Sequence, residues 1–289
     1  MTNDLKFAYF AGEPIGVPVL VELEAAGYLP SLVVCNPDRP VGRKQLLTPP
    51  PVKVWAEERG IEVWQPQNFT EQGAITEKLA RYDLFVVVAY NTIMPKWLIE
   101  LPEHNTLNVH PSLLPKLRGA SPIRTAILED RRDEIGVTII QLDEKMDHGP
   151  IVAQQALKIA PENWPLAGCQ LDQALGQLGG SLLAAVIPSW VAGKIDPLPQ
   201  DHSAATFCKK LNKADSELEI DPYNLPTGDA AYHALLKIRA YDGWPGTFFM
   251  HDGKRIKITD AALINDALQI NRIIPEGKQV MRFADYFTQ

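Results

Sequence analysis

Cysteine is scarce in this chain and never paired along it. The three cysteines, Cys35, Cys169 and Cys208, are scattered, and no CxxC occurs. That gives no basis for a thiolate zinc site or a disulfide framework, so a reducing cytoplasm is the expected setting. Long apolar runs are also lacking. A stretch such as Leu84–Tyr90 falls far short of the roughly 20 residues a membrane helix needs, so no membrane association is expected. The N-terminus has no basic, apolar and cleavable signal pattern. Excess positive charge is missing: the formal net charge is -7, which argues against a surface coated in nucleic acid but leaves room for a local basic loop. The turn Gly12-Glu13-Pro14-Ile15-Gly16 lacks the full GxGxxG pattern and carries an acid, so a dinucleotide site is poorly supported. There are no repeats and no low-complexity tracts.

What is present is an ordinary apolar complement, with hydrophobic residues at 46%, over 289 residues. That length suits two modest domains or one large one. The first part alternates between strand and helix patterns. Lys6–Phe10 is β-prone, Val17–Ala26 has helical spacing, and Leu32–Cys35 is a second strand. Helix is expected at Val52–Arg59, strand at Ile61–Trp64, and helix at Glu71–Arg81. Leu84–Ala89 is continuously apolar and β-branched, as a parallel strand buried on both faces should be. This rhythm predicts an α/β, doubly wound, mostly parallel Rossmann-like sheet. Leu166–Val186 reads as a long helix covering it. Proline and polar residues between Gly193 and Ala205 mark a boundary, giving domains 1–203 and 204–289. After it, Asp229–Ile238 reads as helix. Thr247–Met250, Lys254–Ala262 and Ala267–Ile273 alternate as antiparallel strands, with turns at Asp252-Gly253 and Asn265-Asp266.

The chemistry concentrates between Asn108 and Gly149. Thr106–His110 reads as a strand, so Asn108 and His110, two apart, leave one face near its carboxyl end. Pro111 and Pro115 stop that strand and stiffen the loop after it. Ser121 is expected to cap a helix begun by Pro122 and ending at Leu128. Strands are expected at Val137–Leu142 and Ile151–Leu157, with Asp147-His148-Gly149 turning between them and Gly149 supplying positive φ. Alone, Asn-x-His reads as a capping amide and a loop-edge imidazole rather than as a site. Asp147 alone is a turn former, and His148 is exposed and incidental. Brought together, an amide, an imidazole and a carboxylate suit acyl transfer to an amine. The amide donates to an oxygen gaining charge, the imidazole gives or takes a proton, and the carboxylate orients it. Residues 36–51 form a rigid loop with Arg39, Arg43 and Lys44 against one acid, Asp38. It leaves the second strand at the sheet's carboxyl edge, where substrates bind. Lys209, Lys210, Lys213, Lys254, Arg255 and Lys257 could form a further basic face.

The run Asn108-Val109-His110-Pro111-Ser112-Leu113-Leu114-Pro115-Lys116-Leu117-Arg118-Gly119-Ala120-Ser121-Pro122-Ile123, followed by Asp147-His148-Gly149, resembles the signature of the folate-dependent formyltransferases. Phe10-Ala11-Gly12, Asn36–Arg43, Pro51-Val52-Lys53, Val86–Tyr90 and Arg239-Ala240-Tyr241-Asp242-Gly243-Trp244-Pro245 agree with it. The resemblance implies the formyltransferase fold with a small C-terminal β-barrel of OB type. It implies 10-formyltetrahydrofolate as formyl donor, no metal, and Asn108, His110 and Asp147 as the catalytic set. Tyr90, Ile93, Met94, Ser112, Leu113, Leu114 and Pro115 would meet the folate, although Ile93 and Met94 equally suit core packing. Within the family the likeness leans to members acting on initiator methionyl-tRNA. There Arg43, with Arg39 and Lys44, would meet the tRNA. Sugar-nucleotide N-formyltransferases using the same donor are the alternative. A monomer is expected.

Overall fold

The computed structural model describes residues 5–42 and 45–287. The chain divides into two compact units. The first comprises residues 1–118, 135–157 and 172–207. It is built on a seven-stranded sheet. In chain order its strands are β1 (Phe7–Ala11), β2 (Leu32–Val34), β5 (Glu62–Trp64), β6 (Leu84–Val88), β7 (Thr106–His110), β9 (Gly136–Gln141) and β10 (Ile151–Ala156). In space they run β10-β9-β7-β6-β1-β2-β5. From β7 through β5 the neighbours are parallel, while β9 and β10 add on antiparallel. Every residue of β1, β6 and β7 is buried. Helices on both faces account for that. The helices α1 (Gly16–Ala25), α2 (Pro51–Glu57) and α3 (Gln72–Leu79) follow the expected rhythm, with ends shifted by one or two residues, and a short helix α4 (Lys96–Ile99), not foreseen, follows β6.

A hairpin was not foreseen in the loop after β2. Strands β3 (Arg39–Val41) and β4 (Leu46–Thr48) pair antiparallel, and all six residues are exposed. Short, proline-broken segments with no buried face carry no alternation to read. The long helix α6 (Gly168–Val191) has the length and composition of a membrane span. Within the first unit, however, it is a cover layer. A Cβ added at Gly179 would lie 2.6 Å from a Val109 methyl carbon of β7, and one at Gly180 2.7 Å from the Val19 carbonyl oxygen of α1.

The second unit comprises residues 119–134, 158–171 and 208–289. It carries α5 (Pro122–Leu128) and α7 (Gly228–Ala240), packed together, and the short α8 (Phe283–Tyr286). An antiparallel sheet runs β12 (Phe248–His251), β13 (Lys254–Ile264), β14 (Ala267–Pro275), β15 (Met281–Arg282), consistent with a small barrel. The two remaining strands are β8 (Arg118–Gly119) and β11 (Phe207–Cys208). The turns at Asp252-Gly253 and Asn265-Asp266 both have positive φ, as hairpin turns of this kind require. Asp130 ties the unit's early segments to α7. Its carboxylate accepts from Trp164 Nε1 (2.6 Å), Arg132 Nε (2.9 Å) and the Tyr232 hydroxyl (3.0 Å). Ser121 occupies the cap position of α5 but makes no side-chain cap bond, and its N–H instead faces the Cys208 sulfur at 3.4 Å.

The close approach at Gly179 gives a test. Gly179→Val should destabilise the protein by about 1–3 kcal/mol through overpacking, despite the better helix propensity of valine. Denaturant titration measures it. Unchanged stability would mean that α6 does not press on β7 at Val109.

Candidate active site

His110 ends β7 with its ring buried. Its Nε2 lies 3.0 Å from the Leu117 carbonyl oxygen and its Nδ1 3.3 Å from Asp147 Oδ1. A carbonyl can only accept, and so can an ionised carboxylate, so both ring nitrogens are satisfied only when both carry protons. The electrostatics agree. Burial pulls the His110 pKa down. The Asp147 charge and hydrogen bond, with the Leu117 carbonyl, outweigh it, and Arg118 opposes them weakly. The net result is a pKa above its ordinary 6.5. Both the contacts and the raised pKa favour the imidazolium form of His110.

Asn108 leaves the same strand face two residues earlier and is 8% exposed. Among the described residues nothing hydrogen-bonds its carboxamide, so its donors and acceptor are uncommitted on the face it shares with His110.

The two groups gripping His110 stand on left-handed backbone. Leu117 has φ 56° and Asp147 φ 52°. Such conformations cost roughly 1–3 kcal/mol each and persist only where surrounding structure imposes them. Positive φ was expected at Gly149 and falls on Asp147 instead. Gly149 is needed for space, since a Cβ there would run into the Gln141 carbonyl oxygen.

The loop after β7 is held from below by Thr138, which faces His110 across the β7–β9 pair. Its hydroxyl donates to the Ser112 carbonyl (2.7 Å) and accepts from Leu114 N (3.0 Å) and Gln154 Nε2 (2.8 Å). Ser112 Oγ donates to the Lys116 carbonyl at 2.6 Å. The end of the first unit returns to buttress this loop. Leu117 N donates to Thr206 Oγ1 at 2.9 Å, and Gln200 reaches both Arg118 and the Asp147 turn. His148, expected to be incidental, hydrogen-bonds Asp143 at 2.6 Å and stacks on His202 at 3.9 Å.

The structure therefore brings Asn108, His110 and Asp147 to one strand end, and fixes Ser112, Leu113, Leu114 and Pro115 in the adjoining loop. Tyr90 is half-buried after β6, and burial pushes its phenol up to about 12 against a pull from the Thr92 hydroxyl. Ile93 is 89% exposed, whereas Met94 packs in the core beside Phe10 and Leu98. Arg39 is exposed at the start of the hairpin, and Arg43 and Lys44 lie outside the described residues. The hairpin's base is fixed by Lys53, whose Nζ lies 3.0 Å from Asp38 Oδ2 and 3.0 Å from Gln65 Oε1. Hydrogen bonds from Gln65 and Lys53 hold the Asp38 carboxyl below its ordinary range. No group of metal-ligating side chains occurs among the described residues.

Sequence reasoning missed Thr138, Gln154, Gln200, Thr206 and Arg118. A threonine inside the apolar strand Gly136–Gln141 was a readable signal. Gln200, in a proline-rich connection, had none.

Removing the charge of Asp147 tests the grip on His110. In Asp147→Asn burial loses its main counterweight, so His110 should titrate at lower pH, read by NMR of labelled histidine. The wild-type pair stabilises the fold fully below about pH 6.5, the unfolded value. That stabilisation is lost as pH rises through the elevated folded value. The gap in denaturant midpoint between the two proteins should therefore narrow with rising pH. An unmoved His110 titration would leave Asp147 as a turn residue only.

Comparison with known proteins fits this geometry. The "Formyl transferase" family model matches residues 24–186. A methionyl-tRNA formyltransferase of Halalkalibacterium halodurans is 38% identical over 256 residues, covering 88% of this chain and 77% of the relative. HypX from Aquifex aeolicus, solved with tetrahydrofolic acid, superposes at TM-score 0.64 and 13% identity; 98% of this chain is covered, but it spans only 47% of that longer one. The methionyl-tRNA formyltransferase of Clostridium thermocellum superposes at TM-score 0.59 and 15% identity, covering 96% of this chain and all (100%) of the other. At such identities the superpositions establish the fold, and the family match with the closely related sequence establishes kinship. The chain belongs to the formyl transferase family, with the methionyl-tRNA formyltransferases.

Proposed function

We propose that this chain transfers the formyl group of 10-formyltetrahydrofolate to the α-amine of methionine on initiator tRNA, giving N-formylmethionyl-tRNA. The observation that carries the reading is the uncommitted Asn108 carboxamide on the strand face it shares with His110, whose two ring nitrogens each face an acceptor. The amine nitrogen attacks the formyl carbon, and the carbonyl electron pair moves onto oxygen. Asn108 donates a hydrogen bond to that oxyanion, and the charge of His110 stabilises it alongside. Asp147 keeps His110 charged and relays the proton from the attacking nitrogen towards N10. The C–N10 bond then breaks, releasing tetrahydrofolate. Tyr90, Ile93, Met94 and Ser112 to Pro115 are assigned to the folate. The tetrahydrofolate bound to HypX, which shares the fold, supports a folate donor.

The acceptor assignment rests on kinship with relatives named for methionyl-tRNA. In this reading residues 1–203 do the chemistry and residues 204–289 help hold tRNA, through lysines such as Lys254. Arg39, Arg43 and Lys44 supply local positive charge within a chain of formal net charge -7. A single chain carries every assigned residue, so a monomer is the working unit. The cytoplasm, where charged tRNA and reduced folate occur, is its place.

Incubation with 10-formyltetrahydrofolate and charged initiator tRNA should yield formylmethionine. Asn108→Ala should lower kcat about 10²–10³-fold while the fold survives, as for loss of one oxyanion donor. A folded, fully active variant would remove Asn108 from the mechanism. Arg39→Ala and Arg43→Ala should each raise KM for tRNA, leave that for folate nearly unchanged, and reduce the salt slope by about one unit or less. Formylation of a nucleotide-linked amino sugar, with tRNA ignored, would move the acceptor to that class.

A further inference from the structure

We infer that Gln200 is a positioning residue for formyl transfer, its carboxamide setting the spacing between the two backbone segments that grip His110. The inference rests on the functional reading above for what the grip does, but not for the grip itself. Gln200 is 5% exposed and lies beyond α6, far from the site in sequence. Its Nε2 donates to the Asp147 carbonyl (2.9 Å) and to the Gly149 carbonyl (2.7 Å). Its Oε1 accepts from Arg118 Nε (3.2 Å) and Nη2 (2.5 Å). Both protons and both lone pairs of the amide are thereby used.

The placement gives these bonds their meaning. One end of the amide holds the main chain of Asp147, whose carboxylate faces His110 Nδ1. The other end holds Arg118, the residue after Leu117, whose carbonyl faces His110 Nε2. Gln200 thus bridges the two acceptors from behind, without touching the ring. Both acceptors stand on left-handed backbone, which local preference would not choose. A second strut runs parallel to it. Arg118 Nη2 lies 2.9 Å from His202 Nδ1, and the His202 ring stacks on His148, next to Asp147. Only an amide can donate to two carbonyls at one end and accept from a guanidinium at the other. A carboxylate would repel the carbonyls, and an apolar side chain would leave a buried guanidinium and two carbonyls short of partners.

Asp147 and Arg118 are the charged groups bearing on His110, and Gln200 controls the placement of both. Loosening the bridge weakens the Asp147 contact, while the burial of His110 remains. The test is Gln200→Met in the full chain, an isosteric change without hydrogen bonds. Labelled-histidine NMR, with the His110 signal assigned through His110→Gln, should show His110 titrating at lower pH than in wild type. The alkaline limb of kcat/KM should move with it. The value of kcat near neutrality should fall about 10- to 100-fold, in keeping with the cost of small misplacements. The KM for folate should hardly change. A merely structural role would lower the melting temperature and leave the titration and the limb where they were, and that result overturns the inference.

Should Gln200→Met not fold, Gln200→Asn decides. It keeps the amide but is too short to span Arg118 and both carbonyls at once, so the same displacement is expected. A wild-type titration in that variant overturns the inference equally. The NMR arm needs no substrate, so it separates this inference from the functional reading. A displaced His110 titration in a protein that formylates no acceptor would sink the reaction assignment and leave the bridge standing.

Discussion

A buried positive charge must find acceptors for every proton it carries, and this site is organised around that requirement. His110 is taken out of water at the end of a buried strand, which by itself would strip its proton. The Asp147 carboxylate and the Leu117 carbonyl reverse the outcome. Each comes from a loop with unfavourable backbone, so each loop needs its own support. Thr138 holds the first loop through two hydrogen bonds, to Ser112 and Leu114, and Gln200 ties that loop to the second. The uncommitted Asn108 amide has a defined electrostatic setting only because its neighbour's charge is fixed.

Strands buried on both faces and amphipathic helices were legible in the sequence because their patterns are local. Leu84–Ala89 announced itself by composition, and Thr106–His110 by the prolines just beyond it. The pairing of Asn108 with His110 was legible because the two share a strand face, whereas Asp147 joined them only through the resemblance to the formyltransferase signature. The supporting residues were not legible. Gln200 reaches the Asp147 turn across 53 residues, and Thr206 reaches Leu117 across 89. No periodicity encodes such distances. Left-handed backbone at Leu117 also escaped notice, since leucine has no preference for it and only tertiary context imposes it.

The hairpin after β2 obeys a different economy. None of its strand residues is buried, and two isolated strands are marginal on their own. Its base is anchored by Lys53, Asp38 and Gln65, where the sheet begins. Its outer part presents Val41, Leu46 and Leu47 to solvent along with Arg39. Apolar and basic side chains held out together on an anchored stalk form a surface that gains from meeting a partner.

The order in which the site is made is set by where Gln200 and Thr206 lie. On the ribosome, Asn108, His110 and Asp147 emerge well before α6 and the segment beyond it. Until that segment has docked, the loops carrying Leu117 and Asp147 lack their cross-ties, and the local preferences of the backbone oppose the native turn. Long-range closures of this kind are formed late and slowly, because loop entropy is lost before any contact rewards it. A nascent chain halted inside α6 would therefore possess Asn108, His110 and Asp147 without the electrostatic setting they share in the folded protein, and that setting would arrive with the last contacts of the first unit.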